Sequence, residues 1–156
     1  MLFPMNTPAH YARAFQMHRA ALQDLYETLP DEQSTFSPWE GGMSFIGLAD
    51  HLAASSQRFL GLLGSEPPAP ILDTSGSADL PSARSRLQES TENALLAIRA
   101  LSEEDMNRRV KAFGGREMPV AALLDFMIQH EAHHKGQVWM MARMVGVQPP
   151  MFVKLG

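Results

Sequence analysis

Apolar side chains recur every three or four residues through four segments of the chain, the spacing that places them on one face of an α-helix. This pattern predicts helices over residues 7–29, 43–63, 80–101 and 119–145, with Ser44 as an N-cap of the second. At a rise of about 1.5 Å per residue, each helix is roughly 30 Å long. The pattern therefore predicts an all-α fold, an antiparallel four-helix bundle formed by a single domain over residues 1–156.

Two connections between the predicted helices are long enough to matter for the topology. Residues 65–78 are rich in Ser, Gly and Pro, and they predict a long connection between the second and third helices. Residues 102–117 are too polar and too few for another long helix, which leaves a turn at 103–106 or an extended piece at 109–113. We find no run with the period of a strand that is long enough to predict a sheet.

Composition narrows the function classes. Lys and Arg number 13 against 17 Asp and Glu, a net charge of −4, which argues against a nucleic-acid partner because such binding needs concentrated positive charge. The absence of cysteine excludes disulfides, thiolate metal sites and a cysteine nucleophile. Neither a signal peptide nor a membrane span is predicted, so we expect a soluble cytoplasmic protein.

The most informative run is HEAHH, residues 130–134, inside the fourth predicted helix. On a helical wheel centred on the apolar position Met127, His134 lies about 20° away, His130 about 60° away and His133 about 120° away. His130 and His134 therefore face the bundle interior one turn apart, where two imidazoles can share a metal ion. His133 is predicted on the surface.

The second predicted helix offers a third inward imidazole. His51 lies near the middle of that helix, about 60° from the apolar stripe that includes Leu48, and Ser55 lies one turn further along as a possible pocket lining. His18 also falls on the inward face of the first helix. Taken alone, His18 and His51 each fit a core histidine that satisfies its hydrogen bonds within the protein.

Two known site types share parts of this pattern and fail on the rest. HEAHH satisfies the H-E-x-x-H motif of zinc proteases, but the chain has no His, Asp, Glu or Cys after His134 to complete such a site. A di-iron bundle needs a second Glu-x-x-His, which the sequence lacks. A mononuclear site of His51, His130 and His134 with open positions remains; all-imidazole ligation suits Zn²⁺ or Ni²⁺, and Fe²⁺ or Mn²⁺ less well.

The residues around these histidines carry a family resemblance. The segment GLADHL ending just after His51, followed some 80 residues later by HEAHHKGQ over residues 130–137, resembles the DinB/YfiT-like superfamily of metal-dependent enzymes over essentially the whole chain. The resemblance implies a four-helix bundle with a long connection after the second helix, a metal triad on His51, His130 and His134, and a homodimer. Characterised members of that superfamily transfer low-molecular-weight thiols (bacillithiol, mycothiol or glutathione) to electrophiles or use them in isomerisation.

Four further residues are candidates for roles near the ion. Glu131 is a candidate base or imidazole-orienting group, with a salt bridge at the bundle margin as the alternative. Gln137 is a candidate for hydrogen bonding to a ligating imidazole or to substrate. Gly136, which is costly inside a helix, suggests close approach of another backbone or a ligand, and Trp39 is a candidate roof of the pocket.

We therefore predict a metal-dependent enzyme acting on small molecules, foremost a thiol-dependent S-transferase. A divalent ion can deprotonate a bound thiol or lower the pKa of bound water to about 7. The alternatives are a metal-dependent hydrolase of small esters or amides, a non-catalytic metal-binding stress-response module, and a bundle whose histidines form a core network without metal.

Overall fold

Four long helices carry most of the chain: α1 (Pro8–Thr28), α2 (Phe45–Leu62), α3 (Leu80–Arg99) and α4 (Val120–Met144). The structure is a computed structural model and describes residues 7–64 and 75–156. All four predicted helices are confirmed, each end within two residues of its expected position, and so is the four-helix bundle. Within the described ranges, none of the helices has both the length and the hydropathy needed to cross a membrane.

Side-chain caps fix where three of the helices begin. Thr7 accepts a hydrogen bond from the backbone N of His10 before α1, and the predicted cap Ser44 accepts one from Gly47 N at 3.0 Å before α2. Asp79 does the same for Ser82 N before α3. Each cap satisfies one of the backbone N–H groups that the first helical turn leaves without a partner.

The helices pack in the order α1, α3, α2, α4 around the bundle, so that α1 and α2 each contact α3 and α4. One apolar cluster joins the C-terminal halves of α1 and α4 to the N-terminal halves of α2 and α3, and a second joins the opposite halves. Consequently α1 and α4 run in one direction, and α2 and α3 in the other. The α1–α3 and α2–α4 pairs are antiparallel as expected, whereas the α2–α3 and α1–α4 pairs are parallel.

The parallel arrangement of α2 and α3 explains the long connection that the sequence predicted. Because α2 ends and α3 begins at opposite ends of the bundle, residues 63–79 have to join those two ends. Residues 65–74 of the predicted connection lie outside the described part of the chain.

A layer of buried polar side chains separates the two apolar clusters. We call it the central polar layer, and it consists of Arg19 on α1, Ser56 on α2, Ser90 and Thr91 on α3, and Glu131 on α4. Each member lies between the segments that its helix contributes to the two clusters. All four helices therefore meet in a polar contact near mid-bundle.

The prediction that no sheet forms was wrong for one short segment. Strands β1 (Arg109–Lys111) and β2 (Glu117–Pro119) pair antiparallel, with Val110 opposite Met118. The extended piece expected at 109–113 contains β1, but three residues are too few to display a period of two, so the pattern did not predict a sheet. The turn between them contains Gly114 and Gly115 at φ values of 61° and 78°, a conformation that glycine adopts without steric cost.

Candidate metal centre

Three imidazoles from two neighbouring helices converge at the edge of the central polar layer. His51 comes from α2, and His130 and His134 come from consecutive turns of α4. The Nε2 atom of His51 lies 3.1 Å from Nε2 of His130 and 3.0 Å from Nε2 of His134. The structure thus brings together the three residues that the sequence predicted, with ring nitrogens close enough to hold one ion.

Gln137 fixes the orientation of one of these rings. Nδ1 of His134 donates a hydrogen bond to Oε1 of Gln137 at 2.8 Å, so the proton of this imidazole resides on Nδ1 and Nε2 carries a lone pair. Such a hydrogen bond on the far nitrogen orients a metal-binding histidine and sets its tautomer. The sequence-based expectation that Gln137 contacts a ligating imidazole is met by this geometry.

The surroundings of the cluster favour the neutral form of two of its imidazoles, His51 and His130. Burial, followed by the charges that His134 and His51 would carry, lowers the pKa of His130 to about 4. Burial also lowers the pKa of His51, with smaller contributions from His134 and Arg58. Neutral imidazole is the form that binds metals, so His51 and His130 are in the form that can bind a cation at neutral pH.

The donor set fits a divalent ion better than it fits a histidine network. His51 Nε2 faces two other Nε2 atoms and can donate a hydrogen to at most one of them, while Nε2 of His134 already bears a lone pair. At least one of these two close nitrogen pairs is therefore left without a hydrogen bond. A single cation accepts all three lone pairs, and three imidazoles form a ligand set found in catalytic zinc sites.

Glu131 lies in the central polar layer, where it pairs with Arg19. Its Oε2 accepts from Arg19 Nε at 3.1 Å, its Oε1 accepts from Arg19 Nη2, and both residues are almost completely buried. Both carboxylate oxygens are therefore engaged by a guanidinium. A catalytic role for Glu131 stays a prediction, while the salt bridge that we weighed against it is present, in the core rather than at the margin.

Arg19 is the residue near the site that sequence reasoning missed. It is fully buried, although position 19 was not assigned to the apolar stripe of α1. A signal was present, because position 19 lies four residues after the buried Phe15 and three before the buried Leu22, on the same face of the helix. The charge concealed it, since an arginine is rarely fully buried unless paired.

Other candidates lie around the three histidines without joining them. His133 is exposed as predicted, its ring 4.8 Å from that of His134. His18 is partly buried and lies 2.8 Å from the ammonium of Lys135 through Nδ1. Burial and Lys135 lower the pKa of His18, so it serves as a neutral acceptor for this lysine.

Apolar surfaces flank the centre on both sides along the α2–α4 interface. On one side, a cavity of about 100 Å³ is lined by Pro38, Trp39, Met43, Leu48, Gln137, Met140 and Met141. On the other side, Phe59 packs against His130 and contacts Phe113 at the hairpin tip, which in turn contacts Phe126. Trp39 lines this cavity with 61% of its surface exposed, but the three histidines are not among the lining residues, so its role as a roof of the metal pocket stays a prediction. Ser55 is buried but lies outside the residues that line this cavity.

Gly136 does not contact another part of the described chain. A Cβ built at this position meets nothing within 4 Å, so the close approach suggested by the sequence is not made within residues 7–64 and 75–156. Its place is the exposed face of α4.

Comparison of the sequence with known proteins identifies its family and its relatives. The sequence profile of the DinB family matches residues 5–155. The Bacillus subtilis protein YjoA is 28% identical over 137 residues, covering 85% of this chain and 86% of YjoA, and YrdA from the same organism is 26% identical over 154 residues, covering 93% and 87%.

Solved structures give the same result for the fold. The crystal structure of YjoA, a DinB-like protein, superposes with a TM-score of 0.79 at 26% identity and covers 94% of this chain and 99% of its own. YfiT from Bacillus subtilis superposes with a TM-score of 0.73 at 19% identity, covering 94% and 92%; it is described as a probable metal-dependent hydrolase with an unusual four-helix bundle topology.

Proposed function

This chain belongs to the DinB family, and from that premise and its three converging imidazoles we propose that it is a metal-dependent enzyme acting on small molecules, foremost a thiol-dependent S-transferase. The observation that carries the proposal is the convergence of the Nε2 atoms of His51, His130 and His134. Zn²⁺ or Ni²⁺ suits this ligand set best. When bound, a divalent ion would stabilise the thiolate form of a thiol substrate.

The residues of the chain divide the remaining work. Gln137 holds the His134 ring so that Nε2 faces the centre, and its side chain also lines the apolar cavity. That cavity is the place we assign to the body of the electrophile, under Trp39. In the reaction, the thiol proton is released to solvent, a sulfur–carbon bond forms, and the leaving group departs with its bonding electrons.

The position of Glu131 favours a thiol over water as the nucleophile. Hydrolysis needs a base to remove a proton from water, and the sequence candidate for that base has both oxygens engaged by Arg19. Among the described residues, the metal-binding group itself contains three histidines and no carboxylate. A thiol has a pKa near 8.5 and ionises next to a cation without such a base.

A metal-dependent hydrolase of small esters or amides is the second candidate. It is favoured by YfiT, which shares the fold and is described as a probable metal-dependent hydrolase. The non-catalytic metal-binding module is the outcome in which the ion binds but nothing turns over. Homodimer formation and a cytoplasmic location are kept as expectations from the sequence.

The test uses protein purified without a histidine tag, stripped of metal and reloaded with Zn²⁺ or Ni²⁺. Conjugation of glutathione or cysteine to monochlorobimane should require the reloaded metal and should fall at least a hundredfold in His130→Ala, while His133→Ala stays within twofold of the parent. Turnover of p-nitrophenyl acetate without any thiol would instead support the hydrolase. Stoichiometric metal with neither activity would support the non-catalytic module, and failure to bind metal would overturn all three.

A further inference from the structure

The guanidinium of Arg19 is held by acceptors from the three other helices of the bundle. Nη1 donates to Ser90 Oγ at 2.8 Å and to Thr91 Oγ1 at 3.3 Å, both on α3. Nη2 donates to Ser56 Oγ at 2.6 Å and to the backbone oxygen of Leu52 at 3.3 Å, both on α2. Nη2 also donates to Oε1 of Glu131 on α4, and Nε donates to Oε2 of the same carboxylate. Arg19 is fully buried.

Two of these acceptors are the immediate chain neighbours of metal-binding histidines. Leu52, whose carbonyl oxygen binds Nη2, follows His51 on α2. Glu131, which takes two hydrogen bonds from Arg19, follows His130 on α4. One guanidinium therefore fixes both helices that carry the ligands, within one residue of a ligand on each.

We propose that Arg19 is a positioning residue for the metal centre: it sets the depth and rotation of α2 and α4 so that Nε2 of His51 meets Nε2 of His130 and His134. This inference rests on the proposed metal-binding function. It assigns Glu131 to the same task, as the α4 anchor of Arg19, in place of the catalytic role suggested by its position in the sequence.

Apolar packing alone does not fix helices this closely. Hydrophobic interactions within the two apolar clusters are non-directional. Helices held only by such interactions can slide or rotate slightly with little change in buried apolar area. A metal site tolerates distance errors of only about 0.2 Å in its ligands. The planar fork of an arginine, bound by two oxygens of one carboxylate, supplies the direction that apolar contacts lack.

The proposed positioning role can be distinguished from a purely stabilising one, because a buried ion pair often adds little to the free energy of unfolding. Replacing both partners with apolar residues of similar volume is often neutral or stabilising, whereas removing one partner leaves a buried charge. The double variant Arg19→Met/Glu131→Leu should therefore fold with a urea midpoint close to that of the parent.

The experiment measures Zn²⁺ affinity of that double variant by competition with a chromophoric chelator, together with urea unfolding of the metal-free proteins. We expect the dissociation constant to rise about tenfold or more, the effect typical of losing a group that orients ligands. Substitution with Co²⁺ should also give a visible absorption band of altered position and intensity. Ser90→Ala is the matched control: it removes one bond to Arg19 from α3, which carries no ligand, and should leave Zn²⁺ affinity within twofold.

Unchanged Zn²⁺ affinity in the double variant would overturn the proposal while leaving the metal-binding function in place. If the double variant does not fold, Arg19→Lys takes over the test, because it keeps the positive charge but cannot bridge Leu52 and Glu131 as a fork. We expect Arg19→Lys to remain fully folded and to bind Zn²⁺ severalfold more weakly than the parent. Zn²⁺ affinity equal to that of the parent would refute the proposal. Failure of the parent protein itself to bind Zn²⁺ would refute the proposed function, and this inference with it.

Discussion

At the scale of single residues, the contacts of each polar side chain decide which role it can take. His130 and His133 lie three positions apart in one helix, yet one joins the cluster and the other is exposed. Glu131 lies beside His130 in sequence, but its carboxylate points into the core toward Arg19. Helical phase separates these neighbours, because each step along an α-helix rotates the side chain by about 100°.

Gln137 provides the first prediction at this scale. Gln137→Leu keeps the volume of the side chain but removes the acceptor for Nδ1 of His134, so that ring is free to rotate or to change tautomer. Zn²⁺ affinity should fall about 10–100-fold while the chain stays folded. Isothermal titration of metal-free protein measures this, with Gln129→Ala, at an exposed position of α4, as the control.

A loss of affinity in the Gln129 variant equal to that of Gln137→Leu would show that the effect is general to α4 and not to the hydrogen bond on His134. Parental affinity in Gln137→Leu would show that His134 is oriented by packing alone.

The sequence could predict the three histidines but not the network behind them. The sequence identifies His51, His130 and His134 because imidazole is a common metal ligand and because helical spacing shows which face of its helix each one occupies. Arg19 obeys the same helical repeat, but no rule applied to a single chain says that this arginine finds a carboxylate and four further acceptors at its own depth. These contacts depend on how far the four helices are shifted along their axes relative to one another. The local periodicity of the sequence does not specify that shift.

At the scale of the element, α4 combines a functional face with an exposed one. Its buried side carries His134, Val138 and Met141, and its opposite side includes Gly136, where nothing within 4 Å would meet a Cβ. The sequence suggested that this glycine allows close approach of another backbone or of a ligand; within the described residues no other backbone approaches it, and approach of a ligand stays a prediction. The glycine therefore costs helix stability without a packing contact in residues 7–64 and 75–156.

Gly136→Ala should stabilise the protein. An alanine in the interior of an exposed helix face gains roughly 1 kcal/mol over glycine, since it restricts the unfolded chain and favours helical geometry. Urea unfolding of the metal-free protein measures this gain. Gly146→Ala is the contrasting variant. Gly146 follows the end of α4 at φ 79°, so adding a Cβ there should destabilise the folded protein.

A different outcome for Gly136→Ala would be equally informative. Destabilisation, together with a change in sedimentation velocity, would indicate that a second copy of the chain packs on this face, in line with the homodimer that the family resemblance implies.

The hairpin illustrates what short elements hide from sequence reasoning. Strands of three residues carry no detectable alternation, and their placement depends on contacts far along the chain: Phe113 at the tip packs on Phe59 of α2 and Phe126 of α4. Helices of about 20 residues, by contrast, repeat their pattern often enough to be located within two residues.

At the scale of the whole molecule, the centre joins two helices that the chain itself separates widely. His51 and His130 are 79 positions apart, and α2 and α4 are in contact along the bundle. The two apolar clusters hold the ends of the bundle, while the central polar layer and the histidines hold its middle. An ion bound to all three histidines would therefore act as a cross-link across the α2–α4 interface, available only in the folded chain.

From this arrangement we expect the unfolding of the protein to depend on metal. A ligand that binds only the folded state stabilises it by about 2.7 kcal/mol when present at 100 times its dissociation constant. For a chain of this size, that shift corresponds to a rise in melting temperature of roughly 5–11 °C. Urea or thermal unfolding with buffered Zn²⁺, compared with excess EDTA, should show the difference. His130→Ala should abolish the stabilisation by Zn²⁺ and His133→Ala should retain it, because only the substitution at position 130 removes a ring nitrogen from the cluster. Identical curves with and without Zn²⁺ would mean that the three rings do not share an ion, and an equal loss in His133→Ala would mean that the ion binds outside the bundle.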